Sequence, residues 1–215
     1  MLKNLIFDVG EVLLEYRWGE ALTDIGVDAE EAREIGGKLV RDPVWLMMDY
    51  GVMSAEEVAE KMKIIYPEDA EKMGWILRHP EHLVVPRPEI WERVHRLKEK
   101  GYRIYILSNY GKDMWEAHAA YQPFMRDLDG CVVSCRIHLL KPDARIYEYL
   151  LREYGLKREE SVFFDDKAVN TEGARAVGLP AVTIPSRGFL AALLDEIEKS
   201  GGAGLPAEAV QGLMQ

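Results

Sequence analysis

The sequence lacks any long apolar run, and no stretch approaches the ~18 apolar residues that a membrane-spanning helix requires. It also lacks an excess of basic residues, because 37 Asp and Glu outnumber 27 Lys and Arg and give a net charge of −10. The sequence contains no stripe of Lys and Arg residues that would predict a binding surface for a nucleic-acid backbone. We therefore expect neither a membrane nor a nucleic acid as partner. The N-terminal apolar run is too short for a signal peptide, so we expect a cytoplasmic protein.

Cysteine is scarce as well, because the chain contains only Cys131 and Cys135. With the nearby His138 they would supply three ligands, and a structural zinc site needs four. We expect both thiols to be reduced and buried. The signatures G-x-G-x-x-G and G-x-x-x-x-G-K-[ST] are also absent, which removes support for nucleotide binding of those types.

The order of predicted elements favours an α/β fold. Residues 2–9 form a short apolar run typical of a strand buried on both faces, and helical periodicity then continues to about residue 63. From residue 86 onward, apolar runs alternate with amphipathic helices, which predicts a doubly wound parallel sheet. We expect an α/β core of residues 1–15 and 84–200, an all-α insertion of residues 16–83, and a tail of residues 201–215.

Polar side chains follow the apolar runs, or lie in loops that lead into helices. They are Asp8, Ser108, Asn109, Lys141, Asp165 and Asp166. Because ligands bind outside the carboxyl ends of parallel strands, we expect these groups to share one edge of the sheet. Three carboxylates there would repel one another unless a divalent cation neutralised them, and Mg²⁺ prefers oxygen ligands. A carboxylate such as Asp8 could then attack a phosphate ester.

Four motifs carry a resemblance to a known family. They are FDVGEV at 7–12, ILSN at 106–109, Lys-Pro at 141–142 and FFDDKAVN at 163–170. In this order they resemble the haloacid dehalogenase-like (HAD) hydrolase superfamily. That resemblance implies a Rossmann-like core and a small helical cap, which the insertion would form. Within the superfamily, the sequence is most similar to the subgroup that includes a bacterial α-glucose-1-phosphate phosphatase.

The resemblance also implies roles for individual residues. Asp8 would be the nucleophile that forms an aspartyl-phosphate, and Lys141 would neutralise charge between it and the substrate. The implied phosphoryl-binding residues are Ser108, Asn109 and Lys141. The implied Mg²⁺ ligands are Asp8, the Gly10 carbonyl, and Asp165 or Asp166. Asn170 would brace the fourth motif.

One position departs from the phosphatase pattern of the family. That pattern has a second aspartate two residues after the nucleophile, which acts as general acid and base, and this chain has Gly10 there. Glu11 would point the other way along an extended chain. Asp49, in the predicted cap, is a freer candidate for the missing acid.

The sequence thus predicts a Mg²⁺-dependent phosphomonoesterase that acts on a small phosphorylated metabolite, with sugar phosphates among the candidates. A 2-haloacid dehalogenase is the first alternative, and Asp8 would then attack carbon without a metal. A HAD-fold binding protein with weak or no catalysis is the second, because Gly10 replaces the usual acid. Monomer and homodimer both stay open.

Overall fold

A five-stranded parallel sheet forms the centre of the computed structural model, which describes residues 1–200. The predicted tail of residues 201–215 lies outside the described residues. The strands, in chain order, are β1 (Asn4–Phe7), β2 (Leu14–Tyr16), β3 (Val84–Pro86), β4 (Arg103–Ser108), β5 (Leu128–Val133), β6 (Ser161–Asp165) and β7 (Ala181–Thr183). The main sheet has the order β5-β4-β1-β6-β7, so β1 lies in its middle.

Helices form the insertion and cover the sheet. Those of the insertion are α1 (Trp18–Thr23), α2 (Ala29–Arg41), α3 (Pro43–Asp49), α4 (Ala55–Ile65) and α5 (Ala70–Arg78). Those of the core are α6 (Pro88–Glu99), α7 (Lys112–His118), α8 (Ser134–Ile137), α9 (Ala144–Glu153), α10 (Ala168–Ala176) and α11 (Arg187–Ser200). The helices α1–α5 are called the cap below.

The two faces of the sheet carry separate apolar layers, which confirms the doubly wound α/β architecture. On one face, Ile6 of β1 belongs to the same buried cluster as Leu150 of α9. On the other face, Phe7 belongs to a cluster that includes Leu97 of α6 and Leu194 of α11. Successive residues of a strand point to opposite faces, so a central strand covered by helices is apolar on both faces, as Leu5, Ile6 and Phe7 are.

The register of β1 places the nucleophile candidate beside its neighbours. Phe7 pairs with Ile106 on β4 and with Phe164 on β6. The next residue along β1 is Asp8, so it lies level with the last residues of those two strands. The polar residues that follow the three strands therefore meet at one edge of the sheet, as predicted.

Local sequence signals fix the ends of the cap helices. Ser54 and Glu57 form a capping box at the start of α4, with each side chain bonded to the other residue's backbone amide. Asp28 and Asp42 accept hydrogen bonds from the first backbone amides of α2 and α3. In the described residues, no helix has the length and apolar character needed to cross a membrane.

A two-stranded antiparallel ribbon connects the cap with the core, and the sequence analysis did not predict it. Leu14 pairs with Pro86, and Tyr16 pairs with Val84. Both strands have only three residues, too short for an alternating pattern to be distinctive. The cysteines also differ from expectation, because Cys131 and Cys135 are free as predicted but only partly buried.

Candidate active site

Asp8 is held by three neighbours at the carboxyl end of β1. Its Oδ1 atom accepts hydrogen bonds from the Ser108 hydroxyl at 2.5 Å and from the Val9 amide at 2.8 Å. The Lys141 ammonium lies 2.9 Å from the same oxygen. Every named contact uses Oδ1, so Oδ2 is the oxygen left for a metal or a substrate.

Lys141 is a buried cation shared by two carboxylates. Its Nζ atom lies 2.6 Å from Asp165 Oδ2, and it donates to the Leu107 carbonyl at 3.1 Å. Burial by itself would lower the pKa of this amine, but the charges of Asp165 and Asp8 outweigh it and raise the pKa. Lys141 therefore carries a positive charge at the centre of the site.

Asn109 binds the backbone of Lys141 with both ends of its amide. Its Nδ2 donates to the Lys141 carbonyl at 3.0 Å, and its Oδ1 accepts from the Lys141 amide at 2.9 Å. The resemblance implied that Asn109 binds the phosphoryl group. Its side chain also positions the loop that delivers Lys141, while its second Nδ2 hydrogen and its backbone amide are not used in these bonds.

Asp165 is the most fully bonded carboxylate of the site. Its two oxygens accept from the Asn170 amide at 3.0 Å each, from the Lys167 backbone amide at 2.8 Å, and from Lys141. Its exposed fraction is 0%. Asn170 braces the fourth motif as expected. Asp165 has little capacity left for a metal, because both of its oxygens are already bonded.

Asp166 is the unpaired carboxylate. Among the described residues, no hydrogen bond or ion pair satisfies its side chain, which is partly buried. Burial, followed by the charges of Asp8 and Asp165, raises its pKa to about 7. One oxygen from each of Asp8, Asp165 and Asp166 falls within a cluster 4.8 Å across. Three carboxylates beside one lysine leave a negative excess that suits a divalent cation.

These groups face a cavity of about 520 Å³ between core and cap. Its core side includes Asp8, Ser108, Asn109, Lys141 and Asp166. Its cap side is mostly apolar, with two charged groups. The lining residues from the cap are Trp18, Val40, Arg41, Trp45, Leu46 and Asp49. The sequence-predicted residues that face substrate therefore share one cavity, and Asp165 lies beneath it.

The space beside Gly10 is filled by an aromatic ring. A Cβ atom added to Gly10 would lie 2.5 Å from Tyr16 Cε2 and 2.8 Å from the Tyr16 hydroxyl. The ring packs against Trp18, with centroids 4.7 Å apart. Glu11 is also engaged, because its Oε1 accepts from the Tyr16 amide and its Oε2 lies 3.1 Å from the Arg87 guanidinium.

Sequence reasoning missed three of the residues that line the cavity: Tyr110, Arg41 and Lys167. Tyr110 directly follows the second motif, a position that could have indicated it. Arg41 and Lys167 are exposed cations, and no spacing in the sequence distinguishes them from ordinary surface residues.

The structure thus combines a parallel sheet covered by helices with an aspartate, a buried lysine and an acidic pair at the carboxyl edge of that sheet. The family model described as haloacid dehalogenase-like hydrolase matches residues 2–178. The chain belongs to this family.

Curated relatives include both dehalogenases and phosphatases. The chain is 24% identical to (S)-2-haloacid dehalogenase 4A of Burkholderia cepacia, over 87% of this chain and 84% of that protein. It is 28% identical to glyceraldehyde 3-phosphate phosphatase of Methanothermobacter thermautotrophicus, over 94% and 93%. It is 23% identical to a sesquiterpene phosphatase of Aspergillus oryzae, over 82% and 87%.

Solved structures share the fold at low sequence identity. A HAD family enzyme of Bacteroides thetaiotaomicron, in complex with magnesium and inorganic phosphate, has a TM-score of 0.66 and 23% identity, covering 85% of this chain and 94% of that one. The L-2-haloacid dehalogenase of Xanthobacter autotrophicus, with chloropropionic acid covalently bound, has a TM-score of 0.64 and 18% identity, covering 99% and 88%.

Proposed function

We propose that the chain is a magnesium-dependent phosphomonoesterase that acts on a small phosphorylated metabolite. The observation that carries the proposal is the unpaired carboxylate of Asp166 in one cluster with the carboxylates of Asp8 and Asp165. A phosphate dianion could not enter next to these charges without a counter-ion. The Bacteroides thetaiotaomicron relative, which binds magnesium and phosphate, supports the same interpretation.

Asp8, Asp166 and the Gly10 carbonyl would hold the Mg²⁺, with Asp165 behind them. The bound ion would neutralise the carboxylates and the substrate phosphate, so that an anionic nucleophile can approach an anionic ester. Asp165 instead serves to hold Lys141 and the fourth motif in place. This division between the two neighbouring aspartates follows from their hydrogen bonds.

The remaining groups would bind and orient the phosphoryl group. Lys141 supplies a fixed positive charge next to Asp8, and Ser108 holds the Oδ1 atom so that Oδ2 faces the cavity. Asp8 then attacks phosphorus to give an aspartyl-phosphate, which water hydrolyses in a second step. The leaving group would occupy the cap side of the cavity. That the substrate is a sugar phosphate stays a prediction.

A 2-haloacid dehalogenase is the second candidate, because relatives of this chain carry that name. Its substrate would bring a carboxylate and no metal. The unpaired Asp166 would then repel the substrate, which argues against this candidate. A HAD-fold binding protein with weak or no catalysis is the third candidate function, because Gly10 replaces the usual acid.

A phosphate-ester panel tests the proposal, and it should include glyceraldehyde 3-phosphate and a sesquiterpene phosphate. We expect turnover with Mg²⁺, loss with EDTA, and recovery when Mg²⁺ is restored. Asp8→Asn should lower turnover by about 10³-fold or more. Asp69→Asn is the control, because Asp69 lies outside the cavity and pairs with Lys38. Metal-independent halide release from 2-chloropropionate would instead favour the dehalogenase.

A further inference from the structure

The position of the usual acid is blocked as well as empty. Gly10 has no side chain, and the ring of Tyr16 occupies the space into which one would extend. That ring is held by Trp18 on one side and by Tyr110, 6.4 Å away between centroids, on the other. Burial raises the pKa of the Tyr16 hydroxyl well above its usual value, which makes that hydroxyl a poor acid, so a proton for the leaving group has to come from another part of the cavity.

Most other ionisable groups of the cavity are engaged elsewhere. Glu11 is bonded to Arg87 and to the Tyr16 amide. His118 donates from Nε2 to the Pro80 carbonyl at 2.7 Å, while its Nδ1 lies 3.2 Å from the Tyr110 hydroxyl. Burial lowers the pKa of His118 to about 4, so the ring is neutral.

Asp49 is the carboxyl group of the cap that lines the same cavity as Asp8. It is the last residue of α3, and its backbone carbonyl accepts a hydrogen bond from the Ser134 hydroxyl at 2.5 Å. The next carbonyl, of Tyr50, lies 2.8 Å from His138 Nδ1. Two contacts with the core, made by the backbone carbonyls of Asp49 and Tyr50, thus fix the position of Asp49.

Asp49 also has the protonation behaviour that the role needs. Burial raises its pKa to about 7; Lys167 and the Gly111 amide oppose this shift, and the charge of Asp8 adds to it. A carboxyl group at the C-terminal end of a helix is further disfavoured as an anion. Near neutral pH it can therefore exist as an acid before the reaction and as a base after it.

We propose that Asp49 is the general acid and base that replaces the absent residue at position 10. This inference rests on the phosphatase function proposed above. In the first step an oxygen of Asp8 bonds to phosphorus, the bond from phosphorus to the leaving oxygen breaks, and the Asp49 proton passes to that oxygen. In the second step Asp49 takes a proton from water as the water oxygen bonds to phosphorus. The bond to Asp8 breaks, and inorganic phosphate is released.

Two esters with different leaving groups test the inference. p-Nitrophenyl phosphate has a leaving group that departs without a proton, whereas glycerol 2-phosphate needs one. We expect Asp49→Asn to lower kcat/KM for glycerol 2-phosphate by about 10²–10⁴-fold. For p-nitrophenyl phosphate kcat/KM should change little, while a burst of one p-nitrophenol per site precedes slow turnover, because the second step lacks its base.

Asp69→Asn is the matched control, since it removes a cap carboxylate outside the cavity. The assignment would be overturned if, for each of the two esters, Asp49→Asn had the same kcat/KM as the control. Lys167→Gln tests the nearest alternative donor, and a selective loss of the glycerol ester in that variant alone would also overturn it. If Asp8→Asn retained wild-type turnover, the proposed function itself would fail. A loss of activity that is confined to Asp49→Asn would leave the proposed function intact.

Discussion

The ammonium group of Lys141 lies 2.6 Å from the carboxylate of Asp165, and the side chains are 1% and 0% exposed. The same ammonium lies 2.9 Å from Asp8. Buried charges are tolerated only when they are paired and hydrogen-bonded. Lys141 therefore stabilises the two carboxylates on which the site is built, in addition to any role toward substrate.

Replacing Lys141 by methionine should destabilise the protein, because Asp8 and Asp165 would be left buried without their cation. We expect the free energy of unfolding to fall by about 3–5 kcal/mol, measured by urea denaturation. Lys3→Met is the control, because Lys3 pairs with Glu160 while its side chain is 53% exposed, and such pairs contribute little. Similar losses in both variants would contradict this account.

Asp166→Asn should separate metal binding from folding. We expect Mg²⁺ to raise the midpoint of thermal unfolding of the wild type and to leave that of Asp166→Asn nearly unchanged. Without metal, the variant should unfold at or above the wild-type temperature, since one of three neighbouring negative charges is gone. Asp165→Asn should instead unfold at a lower temperature than the wild type, because it loses the ion pair with Lys141. Identical Mg²⁺ responses in Asp166→Asn and wild type would refute Asp166 as a ligand.

Gly10→Ala should be costly because of Tyr16. The added methyl group would lie 2.5 Å from the Tyr16 ring, and overpacking of this kind costs about 1–3 kcal/mol. In a Tyr16→Ala background we expect most of that cost to disappear, which a double-mutant cycle of unfolding free energies would measure. Gly19→Ala is the control, since no atom lies within 4 Å of its added Cβ. A coupling energy near zero would exclude the proposed contact.

The pH dependence should follow from Asp49, whose pKa is about 7. The acid form is the active one in the first step, so kcat/KM for glycerol 2-phosphate, divided by that for p-nitrophenyl phosphate, should fall as pH rises through about 7. Taking the ratio cancels metal binding, and it is corrected for the dianion fraction of each ester, since the two esters ionise at different pH values. In Asp49→Asn the ratio should be flat, and a persisting fall would point to another group. The titratable groups that interact electrostatically with Asp49 are Asp8, Tyr16, Tyr110, Cys135 and Lys167.

Gly51→Ala should weaken the docking of the cap. Gly51 has a φ of +83°, and an added Cβ would also lie 2.9 Å from Cys135 Cα. Gly26→Ala is the matched control, since its φ is +90° and no atom lies within 4 Å of its added Cβ. Both variants should lose stability through backbone strain. Only Gly51→Ala should also lower kcat/KM for glycerol 2-phosphate, because Asp49 is displaced; equal kinetic effects would contradict this.

The arrangement of the main site was predictable because it follows from strand order. Asp8, Ser108 and Asp165 each lie at the carboxyl end of an apolar strand, and parallel strands bring those ends together. Neither the hydrogen bonds nor the pKa of a residue needed to be known for this step. The helices α1–α5 were predictable because helical periodicity continued where the core pattern stopped.

Other features depend on contacts between distant segments, which no local pattern encodes. The difference in hydrogen bonding between Asp165 and Asp166 depends on Lys141 and Asn170, which reach the same strand end from different segments. The engagement of Asn109 with the Lys141 backbone depends on a loop 32 residues away. The occupation of the space beside Gly10 by Tyr16 depends on the short β2–β3 ribbon.

The β2–β3 ribbon connects the loop that carries Asp8 with the cap that covers the cavity. The chain passes from Asp8 through Gly10 into β2, and it returns from the cap along the paired strand β3. A cap joined to the core through one bonded pair of strands would move relative to the core at that pair, which continues directly into the loop from Asp8 to Gly10. We therefore expect a movement of the cap to displace this loop as well, so that entry of a ligand and the position of Asp8 would depend on each other.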